Sequence, residues 1–138
     1  MINLISRHYH VKAKLQGMPR HHYFYNNDHP SGALKLTHNI FLKFIDNAHK
    51  LGQKPIVTII PTCLDLEFIE SNRIPSYQSL LDKMNQSNIT HFDFTNSFLS
   101  HGNYRSLFNH CSAHPNVQGY LLMARAFKDY ISKLQYLD

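Results

Sequence analysis

The chain predicts an α/β fold built around a small parallel sheet, and three stretches carry that prediction. From Ser31 to Leu51, the residues Leu36, Ile40, Phe44, Ala48 and Leu51, with Phe41 and Ile45 beside them, form a broad apolar stripe at helical spacing. Pro55-Ile56-Val57-Thr58-Ile59-Ile60-Pro61 is short, continuous and β-branched, as a strand covered on both faces of a parallel sheet should be. Ile89-Thr90-His91-Phe92-Asp93-Phe94 alternates at the strand period. Helix, strand, helix, strand, helix is the order of βαβ units.

Residues 1 to 30 read as irregular, with one short helix near Ile2 to Leu15 and a turn at Gly17-Met18-Pro19. This segment holds His8, His10, His21, His22 and His29. The pairs invite a metal, but they lack the Cys partners and paired spacing of familiar zinc modules. Solvated surface histidines are the simpler reading, so no metal and no cofactor is expected. Ser31 suits a helix N-cap, and Gly52 stands where a C-cap glycine belongs. After the first strand, Pro61 to Glu67 reads as a loop. Loops at the carboxyl ends of parallel strands hold ligands in α/β folds, which makes Asp65 and Glu67 candidates to line a site. Ordinary loop polarity, or charge at a helix N-terminus, is the favoured reading of both. Ser76 begins a shorter helix with Tyr77, Leu80, Leu81 and Met84 inward, and Asn88 ends it. Asp93 reads as structural. His101 to Asn109 is a linker with a single helical turn.

The last block is the most informative. Pro115 disfavours helix at His114. Asn116 is a good N-cap for a helix whose apolar residues recur at Val117, Tyr120, Leu121, Ala124, Phe127, Ile131 and Leu134. His114 is therefore held just ahead of a packed helix, which suits a group that must be aimed before it can move a proton.

Bulk properties narrow the classes. The length of 138 residues suits a single domain, and nine Phe with eight Tyr are enough for a core. The formal charge is +5, but its lysines and arginines are scattered, so no nucleic-acid partner is expected. No apolar run approaches the roughly 20 residues that span a bilayer. The N-terminus lacks the apolar core of a signal peptide, which places the chain in the cytoplasm if it is the whole product. Cys63 and Cys111 form no C-x-x-C pair and are expected to be free thiols.

The run His114-Pro115-Asn116-Val117-Gln118-Gly119-Tyr120, with Ala124 beyond it, resembles the last signature block of the SGNH (GDSL-type) hydrolases. In that family the histidine is the catalytic base, and an aspartate three residues earlier orients it. By position, His114 matches the base and Cys111 stands where the aspartate would be. The resemblance covers roughly residues 31 to 134. The family's Gly-Asp-Ser nucleophile block and its Gly-x-Asn-Asp block do not occur; Asn27-Asp28 is a weak echo of the second. The resemblance implies a partial flavodoxin-like (SGNH-type) three-layer sandwich with a small parallel sheet, a single domain over 1–138 that begins after its nucleophile. Two strands alone leave sheet edges unpaired. The gap calls for a strand from the first thirty residues, for a complementary segment, or for another copy of the chain.

Two functions follow from the resemblance. The first is ester hydrolysis, on a small-molecule ester or on acyl groups carried by carbohydrate, with His114 as the catalytic base. The second is a non-catalytic or partner-dependent module. A third reading, from the residues alone, is cysteine chemistry at Cys111 with His110 or His114.

Overall fold

The computed structural model describes residues 2–19, 21–72, 74–111 and 114–134, with side chains from residue 7 onward. The chain is mixed α/β and mainly helical, with a two-stranded parallel sheet. It divides into two compact units, residues 1–55 with 68–90, and residues 56–67 with 91–138.

The first unit holds helix α1 (Ile2–Leu15), helix α2 (Ala33–Lys50), the second half of α3 (Cys63–Asn72) and helix α4 (Gln78–Gln86). No strand occurs among its described residues, so the first thirty residues supply a helix and turns, not a strand. The N-cap of α2 is Gly32, at φ 60° and without a side-chain cap bond, and not Ser31 as expected; Ser31 stands one residue earlier, its Oγ accepting the Ala33 N–H at 3.2 Å. Gly52 ends it: at φ 70° it allows Gly52 N–H to reach His49 O at 2.9 Å and Gln53 N–H to reach Ala48 O at 3.0 Å. Asn88, at φ 52°, ends α4 by the same pair of bonds, to Asn85 O and Met84 O. The apolar stripe of α2 is not covered as its width predicts. Leu34 and Ala48 are buried, whereas Leu36, Ile40, Phe44 and Leu51 are exposed. No sheet occurs among the described residues of this unit; α2 packs chiefly on α4, and one helix cannot cover so broad a face.

The histidines of this unit are not all solvated. His29 is buried, with Tyr9 at 4.3 Å and Phe24 at 4.9 Å between ring centres. Its Nδ1 lies 2.6 Å from Ser31 Oγ. Burial pushes its pKa down from the ordinary 6.5. Burial, and then the neighbouring His21, do the same to His22, which packs edge-on against Phe68.

In the second unit, β1 (Val57–Ile59) pairs in parallel with β2 (His91–Asp93), Val57 opposite His91 and Ile59 opposite Asp93. The unit continues with α5 (Thr95–Leu99), a 3₁₀ turn (Tyr104–Leu107) and α6 (Val117–Lys133). Asp93 is structural: its Oδ1 accepts the Thr95 N–H at 2.9 Å and the Thr95 hydroxyl at 2.7 Å, starting α5. The core gathers Cys63, Leu66, Phe94, Phe98, Tyr104, Leu107, Phe108 and Met123. Phe92, Phe94, Phe127 and Tyr130 form an aromatic cluster over β2, and Tyr130 OH donates to His91 O at 2.9 Å.

Helix α6 keeps the face its apolar spacing suggests only in its later turns, at Phe127, and departs from it in the first two. Val117, Tyr120 and Leu121 are exposed, while Gly119 and Met123 are buried and Leu122, Ala126 and Phe127 pack on the core. The reason lies at its first turn. A Cβ on Gly119 would stand against the Leu107 carbonyl oxygen and 2.7 Å from Pro115 Cβ. The glycine allows that close approach, and the approach sets the rotation of the helix.

Among the described residues, no helix is long and apolar enough to cross a membrane.

Candidate functional site

The described residues on either side of His114 are held at a base and at a far side. At the base, Phe108 and Pro115 form an isolated antiparallel bridge. Asn116 N–H donates to Leu107 O at 2.8 Å. The Asn116 side chain works in both directions. Its Oδ1 caps α6, accepting Gln118 N–H at 3.0 Å and Gly119 N–H at 3.1 Å. Its Nδ2 donates to Ser106 O at 2.8 Å, tying the cap to the 3₁₀ turn. Asn116 and Gly119 are thus architectural, and His114, like Val117, Gln118 and Tyr120 beyond it, is exposed. No hydrogen bond engages its ring among the described residues.

On the far side, Cys111 is joined to Cys63 by a disulfide, with the two Cα atoms 4.6 Å apart. This corrects the expectation of free thiols. The two cysteines lie 48 residues apart, and only the fold brings them together. A bonded sulfur is no nucleophile, so the cysteine chemistry considered for Cys111 has no thiol to use in this state.

The stretch after β1 also differs from expectation. Helix α3 starts at Cys63, in what reads as a loop, because Thr62 and Asp65 make a capping box. Asp65 Oδ2 accepts the Thr62 N–H at 2.9 Å and its hydroxyl at 2.7 Å, and Asp65 N–H reaches back to Thr62 Oγ1 at 3.3 Å. Asp65 is buried in this role and does not line an open site. Glu67 does reach the disulfide. Its Oε1 lies 3.1 Å from Cys111 Sγ and 3.8 Å from Cys63 Sγ, and it accepts Arg105 Nη2 at 3.0 Å. Cys63, Glu67 and Cys111 are the one group of metal-ligating type among the described residues; the N-terminal histidines form none.

Two shallow clefts lie about the start of α6, and His114 lines neither of them. One, of about 350 Å³, is lined by Asn109, Pro115, Asn116, Val117, Gln118 and Tyr120. The other, of about 370 Å³, is lined by His101, Ser106, Leu107, Gln118, Leu121, Leu122 and Arg125. Ser106 is the serine nearest to such a setting, but its hydroxyl donates to Asn103 O at 2.8 Å. Ser112, the other serine of the block, lies outside the described residues. The arrangement presents an exposed imidazole one residue before Pro115, which lines a cleft, and three residues after a disulfide-bonded cysteine.

No family model, curated protein or solved structure matches the chain.

Proposed function

We propose that this chain carries the base side of an SGNH-type ester hydrolase, on a partial flavodoxin-like three-layer plan, with His114 as the residue that takes and returns the proton. The observation that carries the reading is the division of labour within the block. Asn116 and Gly119 fix the start of α6, and the imidazole that precedes them is exposed one residue before Pro115, which lines a cleft. A helix cap alone needs no histidine there. The substrate class is a small-molecule ester or an acyl group on carbohydrate. A positioned general base contributes about 10²–10⁴-fold to such a reaction.

A second reading has its own observation. Cys111, at the place of the orienting aspartate, is bonded to Cys63, and no serine hydroxyl engages His114 among the described residues. This favours a non-catalytic or partner-dependent module, completed by a complementary segment or a second copy.

Labelling of the folded chain with a fluorophosphonate separates the two, because that reagent esterifies a serine whose proton a nearby base removes. One labelled serine in the wild type and none in His114→Ala is the result expected for hydrolysis by this chain. No labelled serine in a wild-type chain with a folded spectrum would leave the second reading.

A further inference from the structure

We propose that Cys63, Cys111 and Glu67 form a redox-gated site for a zinc-class divalent ion, bound in the dithiol form and excluded by the disulfide. The proposal stands apart from ester hydrolysis, since His114 has no part in it. Cys63 and Glu67 are four residues apart on α3, so they share one face one turn apart. Cys111 meets them from the loop before α6. The ligand atoms of all three lie within 4.8 Å of one another. Zinc bonds of roughly 2.0–2.3 Å at tetrahedral angles place neighbouring ligand atoms ~3.6 Å apart. The two sulfur-to-carboxylate distances, 3.1 and 3.8 Å, bracket that spacing.

The charges fit as well. Two thiolates and a carboxylate leave one surplus negative charge around a divalent ion. The Arg105 guanidinium, 3.0 Å from Glu67 Oε1, neutralises it and orients the carboxylate from outside. Three protein ligands leave a fourth position for water. Two thiolates select a zinc-class ion over magnesium or calcium, which prefer all-oxygen sites.

The gate is the bond already present. Reduction by a dithiol transfers two electrons and two protons to the disulfide, giving two thiols and an oxidised reductant. Binding then releases the thiol protons. In reverse, a peroxide takes two electrons from the thiolates and two protons from solvent. The sulfurs bond to each other, two waters form, and the ion leaves. Either state ties Cys111 to α3, so the loop stays anchored while its cross-link changes from covalent to coordinate.

The test is a cobalt titration, as a spectroscopic stand-in for zinc, of the whole chain reduced by a phosphine without air. The expected result is one cobalt per chain with thiolate-to-metal charge-transfer absorption, displaced by zinc. The band should be absent from the oxidised chain and from Cys63→Ser and Cys111→Ser. Glu67→Gln should weaken binding by at least about tenfold, and it carries the test if the serine variants fail to fold. A reduced chain without the thiolate band would overturn the proposal. So would a Cys111→Ser chain that takes up cobalt with wild-type affinity and absorption, or a Glu67→Gln chain of unchanged affinity.

Discussion

The Leu107 carbonyl oxygen lies where a Cβ on Gly119 would have to be, and through this contact the 3₁₀ turn sets the rotation of α6. The same carbonyl accepts the Asn116 N–H at 2.8 Å. One backbone oxygen thus fixes both the start of the helix and the end of the His114 loop. Gly119→Ala should destabilise the chain by about 1–2 kcal/mol. The overlap with Leu107 and Pro115 costs roughly 1–3 kcal/mol, and at most ~1 kcal/mol returns as helix propensity. Urea unfolding checks this; an alanine variant as stable as the wild type would mean that the turn and helix do not meet this closely.

Asn116 makes two kinds of bond, and they can be separated. Asn116→Ala removes the cap of α6 and the tie to Ser106 O, and should cost about 1–2 kcal/mol. Asn116→Asp keeps an oxygen for Gln118 N–H and Gly119 N–H but has no donor for Ser106 O. Its unfolding midpoint should fall between the other two. Equal stability of the aspartate variant and the wild type would show that the Ser106 bond contributes nothing.

The disulfide closes a loop of 48 residues. Chain entropy at that length gives a stabilisation of up to about 4 kcal/mol. Adding a dithiol should lower the unfolding midpoint of the wild type in metal-free buffer, and should leave Cys63→Ser unaffected. A midpoint that ignores the reductant in both would mean that the bond does not form in solution.

Most local features of the fold are legible in the sequence, and so is the parallel pairing of its two strands, but other long-range contacts are not. Gly52 and Asn88 announce the helix ends they make, and Asn116 announces the start of α6, because caps are chosen within a few residues. The beginning of α3 is legible in the same way, since Thr62-x-x-Asp65 is a capping box, but Pro61 and the preceding strand make the stretch look like a loop. The facing of the first turns of α6 is not legible from hydropathy, although Phe127 is inward as its spacing suggests. Val117, Tyr120 and Leu121 are apolar yet exposed, because a carbonyl contact at Gly119 outweighs the count of apolar side chains. At the candidate site, His114 is marked by its block. The meeting of Cys111 with Cys63 and Glu67 depends on where α3 and the loop lie in space, and no spacing in the chain encodes it.

Acid should weaken the fold through buried imidazoles. His29 and His22 have pKa values lowered by burial, with His21 adding to the second. The unfolded chain therefore binds more protons than the native one between the lowered values and about 6.5, so stability rises with pH across that window. As pH falls below about 6.5, stability is lost until the folded-state values are passed. The urea midpoint should drop between about pH 7.5 and about pH 5.5, and the drop should shrink in His29→Gln. Parallel midpoint curves for the two proteins would remove His29 from this account.

The central claim is that His114 is a working base. Steady-state hydrolysis of p-nitrophenyl acetate at neutral pH tests it most directly, using the wild type, His114→Ala, and His110→Ala as a control for a neighbouring imidazole. The account predicts a loss of about 100-fold or more in His114→Ala, with His110→Ala close to wild type. A His114→Ala chain as fast as the wild type would contradict it.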